Sequence, residues 1–418
     1  MRLHYTLEFS QTKNIMRKLL VGLSLISIAL CASAQQSINI TVYNKSRIAR
    51  ENAPVVLQLN KYGNVKSALV TLNGKEIPCQ LDDMNGDGTN DELCFVTDIN
   101  KESNLKFNIQ LFDKGTPREY PAKVYAEMLM TNKKITSSNK QNLYISSLTT
   151  DRGVNPYWMM HHHGPAFESD LVAYRIYFDH RQTVDIYGKN HKGLELKRTQ
   201  FYPDKTQKAA GTGDDVLWVG ETLGVGTLRG WDGKAPVMIS DVEHRTERIL
   251  SRGPLRTVIE IVDKDWKPNA NDEPVDMITR YTLYAGHRDC AVDIKFSKPV
   301  NSYKFCSGII NVKNSVEFSD KQGLRGCWGT DWPVSEKDSA GHKRETVGLG
   351  ICMNPNNIIS EQPADKDNYA FVISTKTDEL HYGIVFCSDN EDFGYHNAKT
   401  WFKFLKSWKE ELCNPLEY

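Results

Sequence analysis

A chain of 418 residues with 52 basic and 52 acidic side chains carries no formal net charge, and this overall balance gives no sign of a nucleic-acid partner. Hydrophobic residues make up 40% and aromatic residues 10%, enough for a sizeable core and too much for a disordered chain. The one conspicuous apolar run, Leu19 to Leu30, is shorter than the about 20 residues a membrane-spanning helix needs, so no membrane span is expected.

That run has a different reading. Met16-Arg17-Lys18 precedes it and Ala32-Ser33-Ala34 follows it, giving the basic, apolar and small-residue regions of a signal peptide over residues 1–34. The fifteen residues before Met16 hold Glu8 and no apolar run, which makes Met16 a candidate start. Leu30 fills the position before Cys31 where a lipoprotein needs a small residue, so cleavage after Ala34 is preferred to lipidation. A secreted, periplasmic protein is expected, with a charge of −3 once the leader is removed.

From residue 35 to about 135 the chain reads as short strands. Ser37 to Val42 and Lys106 to Leu111 alternate polar and apolar side chains, Val55 to Leu59 is apolar, and Asn-Gly turns intervene. This predicts a small N-terminal β-sandwich ending in the polar stretch 131–140. Residues 136–418 hold longer, more aromatic strands, among them 170–178, 257–262, 277–284, 290–296 and 369–374, and predict a large antiparallel β-sandwich. Helical spacing emerges only at His396 to Leu412, where Trp401, Phe402, Leu405 and Trp408 recur, so one short C-terminal helix closes an otherwise all-β protein.

Eight cysteines follow the leader, without a CxxC pair or zinc-finger spacing. Cys79 and Cys94 flank one loop and are the first choice for a disulfide; the alternative is buried free thiols. Between them lies Asp83-Met84-Asn85-Gly86-Asp87-Gly88-Thr89-Asn90-Asp91, whose oxygen-bearing side chains at alternate positions match the first half of an EF-hand-type calcium loop. No glutamate stands at the twelfth position. Two readings are left: a structural Ca2+ held by Asp83, Asn85, Asp87 and Asp91, or an Asx-turn loop closed by its own hydrogen bonds.

The richest candidate site runs from Trp158 through His161-His162-His163-Gly164-Pro165-Ala166-Phe167-Glu168 into the strand with Arg175, Tyr177 and Asp179. His162, His163, Glu168, Arg175, Tyr177 and Asp179 supply imidazoles, carboxylates and a guanidinium suited to acid–base chemistry and charge clamping. On a strand Ala173 and Arg175 share one face and Tyr174 and Ile176 the other. Asp215, Trp218, Trp231, Arg245, Trp328 and Trp332 are candidate substrate contacts, because an aromatic face covers one side of a pyranose while polar neighbours bond its hydroxyls. The motifs of serine hydrolases, zinc peptidases and dehydrogenases are absent.

The stretch His162 to Asp179, with Asp185-Ile186-Tyr187-Gly188-Lys189, Gly224-Val225-Gly226-Thr227-Leu228 and the Asp87-Gly88 loop, resembles the family catalogued as domain of unknown function 4861. The resemblance covers nearly all of the chain after the leader. It implies an exported protein of bacterial polysaccharide-utilisation systems. The long strands are also similar, more loosely, to the supersandwich of galactose mutarotases, which implies a His–Glu acid–base pair drawn from His162 or His163 with Glu168 or Glu243.

The expected function is a carbohydrate-active enzyme acting on an oligosaccharide or polysaccharide, with no cofactor for the chemistry. β-Elimination on a uronic acid would use Arg175, Arg245 or Arg256 to neutralise the carboxylate and His163 or Tyr177 as acid or base. Hydrolysis would use Glu168 with Asp179 or Asp215. A sugar mutarotase or epimerase and a non-catalytic glycan-binding protein are the alternatives.

Overall fold

The computed structural model describes residues 36–137 and 139–418, so the leader and Cys31 lie outside the described residues. The expected all-β architecture is present. A four-stranded sheet ordered Gln36–Asn44, Ser103–Phe112, Ser67–Leu72 and Lys75–Ile77 faces a three-stranded sheet of Arg50–Gln58, Glu92–Ile99 and Cys79–Asp82. Alternation places Val42, Val55, Val70, Phe95, Phe107 and Ile109 between them in one core.

Nine antiparallel strands form the largest sheet, running in spatial order from Ser147–Asp151 through His244–Arg252, Arg256–Trp266, Val275–Tyr284, Asp289–Phe296, Glu379–Ser388, Glu345–Met353 and Leu324–Asp331 to Val316–Ser319. Two five-stranded sheets pack on its inner face. Ile259, Tyr281, Val292, Leu349 and Ile384 of the large sheet share a core with Phe167, Tyr174 and Ile186 of one smaller sheet and Phe305, Ile309 and Phe371 of the other.

The helix Ala398–Cys413 covers the outer face of the nine-stranded sheet. The Asn397 side chain caps it by accepting from the Thr400 N–H, and Trp401, Leu405 and Trp408 fall on one buried face. The sheet meets them with Gly326, Gly348, Gly350 and Gly383. A Cβ at Gly348 would stand 2.8 Å from the Trp401 ring, and one at Gly383 2.8 Å from Trp408, so the helix lies this close only because those strands lack side chains there.

The expected Cys79–Cys94 disulfide is not formed. All eight cysteines after the leader are free, and seven of them are buried. The register explains this. Cys79 pairs with Phe95 and Cys94 with Gln80, so the two thiols project from opposite faces of one sheet. The loop between them is closed by Asx turns: Asp83 accepts from the Gly86 N–H at 2.6 Å and the Gly88 N–H at 2.7 Å, Asn85 from Asp87, Asp87 from Thr89, and Asp91 from the Met84 N–H at 2.6 Å. Among the described residues no group of three or more His, Cys, Asp or Glu side chains is placed to hold a metal ion; amide and backbone oxygens, which calcium also takes, stand outside this grouping, that of Asn85 among them.

Candidate functional site

One of the five-stranded sheets carries the candidate site on its outer face. Its strands are Asp214–Asp215, Val184–Gly188, Ala173–Ile176, Ala166–Ser169 and Val124–Glu127. Tyr174, Ile176, Val184 and Ile186 point into the sandwich, which leaves Ala173, Arg175, Asp185 and Tyr187 outward. Arg175 stands opposite Asp185, and Tyr187 opposite Asp215. The segment Leu196–Tyr202 lies across this face, packing Leu196 and Phe201 on Ala166, Ala173 and Tyr187.

Arg175 is the centre. Its Nε and Nη2 donate to Asp185 at 2.9 and 2.6 Å, Nη2 also to Asp215 at 2.9 Å, and Nη1 to the Tyr202 hydroxyl at 2.8 Å. The Tyr177 hydroxyl donates to the same Asp185 oxygen at 2.7 Å, and the guanidinium stacks 4.1 Å from the Phe201 ring. Burial works against the arginine's charge, but the surrounding Tyr177, Tyr202, Asp185 and Asp215 hold its pKa well above the ordinary value. Asp185 is fully buried, whereas the Asp215 side chain keeps 20% of its surface open. Burial first, and then the charge of Asp185, push the Asp215 carboxyl well above the usual carboxylate range against the pull of Arg175.

The histidine turn reaches this centre from one side. His163 has a left-handed backbone (φ +70°), and at Gly164 a Cβ would collide with the Ile176 carbonyl, so this glycine lets the turn sit directly on the strand end. The His163 ring stacks on Tyr157 with centroids 3.8 Å apart, and its Nδ1 lies 3.1 Å from the Tyr157 carbonyl. Burial, and then Arg175, hold its pKa down to about 3, so the imidazole is neutral. Trp158, 79% exposed, meets the His163 ring edge-on. Arg181 lies 4.6 Å over Tyr157 and 4.8 Å over Tyr177 while bonding Asp179 at 2.6 Å.

The sequence-derived candidates therefore divide. His163, Arg175, Tyr177 and Asp215 come together. Trp218, 45% exposed, follows Asp215, and its N–H donates to the Trp332 carbonyl, which brings both tryptophan loops beside the site. Asp179 and Arg245 line a separate cleft of about 170 Å³ with His180 and Asn155, and Arg245 is itself bonded to Asp263 at 2.7 Å.

The others serve the fold. His162 is buried with Nδ1 2.7 Å from the Gly164 carbonyl and Nε2 3.3 Å from Glu127, close enough to pair but without hydrogen-bond alignment. Glu168 is buried too, bonded to Lys189 at 2.6 Å and accepting from the backbone N–H groups of Glu195 and Leu196, so it braces the covering segment rather than facing a substrate. Trp231 is 9% exposed in the other five-stranded sheet, and Trp328 packs beneath the C-terminal helix. Sequence reasoning missed Tyr157, Asp185 and Tyr202. Asp185 had a signal, since an acid at period two in the next strand is what a buried arginine needs; Tyr157 and Tyr202 sit in irregular segments with no spacing to betray them.

Among solved structures the chain is similar to an α-mannosidase from Enterococcus faecalis V583, with 8% identity, a TM-score of 0.49, and coverage of 97% of this chain and 48% of that one. It is also similar to a glycosyl hydrolase family 38 protein from Enterococcus faecalis, with 8% identity, a TM-score of 0.48, and coverage of 97% and 50%. The chain thus spans about half the length of each. No curated protein matches it. The sequence does match a family over residues 42–417, nearly all of the described chain, and the protein belongs to that family, the domain of unknown function DUF4861.

Proposed function

We propose that this is an exported carbohydrate-active enzyme whose acid is Asp215. The observation that carries the reading is a carboxyl with a raised pKa, part open to solvent, set against Arg175 and Asp185 in a surround of tyrosines and beside the loop of the exposed Trp218. A carboxyl whose pKa is raised by burial and by a neighbouring acid suits proton donation to a glycosidic or ring oxygen. His163, neutral and stacked on Tyr157, lines the same site as an uncharged hydrogen-bonding ring. Residues 1–34, with their signal-peptide pattern, are the support for export.

Hydrolysis or acid–base chemistry at an anomeric carbon fits better than β-elimination. Elimination needs a cation free to neutralise the carboxylate of the reacting ring. Arg175 is taken up by Asp185 and Asp215, Arg245 by Asp263, and Arg256 by Asp82 and Glu92. A second reading, glycan binding without turnover, is favoured by the complete burial of Asp185, because a glycosidase pair needs both carboxyls at the sugar.

The test is to incubate the mature protein and an Asp215→Asn variant with neutral and uronic oligosaccharides, following products by mass spectrometry and anomeric change by optical rotation. Conversion by the wild type that the variant fails to perform supports the enzyme. Binding with no chemical change in either protein supports the second reading.

A further inference from the structure

The segment that roofs the candidate site has a charge the whole chain lacks. Residues 128–150 contain Lys133, Lys134 and Lys140 and no acid, and residues 196–209 contain Lys197, Arg198, Lys205 and Lys208 against Asp204 alone, in a protein whose formal net charge is zero. The fold puts these stretches side by side. Gln141 and Gln200 exchange two hydrogen bonds at 2.8 Å, and Asn139 donates to Gln207 at 2.6 Å. Asp204 is engaged in capping the short helix Lys205–Ala209 by accepting from the Thr206 and Gln207 N–H groups. Arg198 leans on Glu195 and Lys208 on Asp214. Lys133, Lys134, Lys140, Lys197 and Lys205 are exposed and form no ion pair among the described residues.

Exposed rings and apolar side chains adjoin this basic face. Tyr144 is 48% exposed and accepts from Gln200, Leu143 is 45% exposed, and Met159, 47% exposed, accepts through its carbonyl from the Thr131 N–H next to Trp158. Tyr202 of the same roof binds Arg175, so the basic surface is continuous with the Asp215 centre. Among the described residues four of these five charges have no acidic partner at salt-bridge distance and Lys140 has only the charge of Asp204 nearby, so an anionic ligand would relieve their mutual repulsion. Lysines, as mobile point charges, suit a polymer with repeated charges more than one fixed carboxylate.

We propose that this face binds an anionic polysaccharide, bearing uronate or sulfate groups, and leads one of its sugars to Asp215. The inference rests on the carbohydrate reading of that site. It supplies the cations that the internally paired arginines cannot, and it places them along the chain instead of at the reacting ring.

Affinity electrophoresis tests it, in gels cast with polygalacturonate, chondroitin sulfate, neutral galactan or single-stranded DNA. The proteins are the wild type, K133Q/K134Q/K140Q/K197Q/K205Q and Asp215→Asn. The expected result is retention of the wild type by both anionic glycans and not by galactan. It should fall by about tenfold in the five-lysine variant, and as salt is raised toward about 0.3 M. Should that variant fail to fold, K197Q/K205Q alone is expected to lose part of the retention. Unchanged retention in a folded lysine variant overturns the proposal, as does equal retention by galactan or stronger retention by DNA. Asp215→Asn should be retained like the wild type; if it also keeps full turnover, only the assignment of Asp215 fails.

Discussion

Arg256 and Arg175 are both buried, and each grips two carboxylates. Arg256 donates to Asp82 at 2.7 Å and to Glu92 at 2.5 Å, tying the nine-stranded sheet to the N-terminal sandwich, while Gln80 of that sandwich accepts from the Leu255 and Arg256 N–H groups. Arg175 donates to Asp185 and Asp215, but its surroundings are rings, and one of its carboxylates is part open with its pKa pushed up. The same residue types thus make a joint in one place and a candidate site in the other. Each has one part-open acid, Glu92 at 16% and Asp215 at 20%. What separates them is that Glu92 also accepts from the Gln58 amide, whereas Arg175 is the one side-chain donor to Asp215 among the described residues and the Asp215 pKa is pushed up.

The comparison breaks most visibly at the joint. Arg256→Met leaves the buried Asp82 and the part-buried Glu92 without their cation and should cost about 3 kcal/mol of unfolding free energy, read from denaturant melts. A loss under about 1 kcal/mol would mean that the two units are held by apolar packing alone.

Next in size is the pH response of the site. The His163 pKa is lowered from 6.5 to about 3 by folding, so its contribution to stability is present above 6.5 and is lost as pH falls from there toward about 3. Asp215 works in the opposite sense: with its folded pKa raised, its contribution is complete below the unfolded carboxylate value and is lost as pH rises through the folded one. Any activity that uses Asp215 as an acid should decline on that same alkaline side. Melting temperature against pH for the wild type, His163→Gln and Asp215→Asn checks both signs. Each variant should flatten its own limb.

Trp158 sharpens the contrast between binding and folding. At 79% exposure, its replacement by alanine should alter stability by less than about 0.5 kcal/mol. Glycan affinity should fall by roughly tenfold through loss of the stacking face, measured by calorimetry. The smallest effect is expected at the Asp83 loop. Its carboxylates are bonded to backbone N–H groups, so chelation with EDTA should leave the melting temperature unchanged, and a drop would place an ion there.

Much of the fold was legible because sheet and helix periods are local properties. The alternation of Ser37 to Val42 appears as the strand Gln36–Asn44, and the spacing of Trp401, Leu405 and Trp408 as the helix Ala398–Cys413. Pairing partners were less legible. Cys79 and Cys94 look joined by their loop, yet a one-residue offset in register sends them to opposite faces. Glu168 looks like the partner of the histidines in sequence, but the chain returns at Lys189 and at the N–H groups of Glu195 and Leu196 to claim it. Arg175 could be placed on the outward face by counting, whereas Tyr157 and Tyr202 arrive from irregular segments whose positions are set by tertiary packing.

The most direct measurement is oligosaccharide conversion by three proteins side by side: wild type, Asp215→Asn, and Glu92→Gln as the matched change at the Arg256 joint. Asp215→Asn should stay folded and lose at least about a hundredfold in rate, the order expected of a lost general acid, while Glu92→Gln keeps its rate. Full turnover by a folded Asp215→Asn protein would contradict Asp215 as the acid.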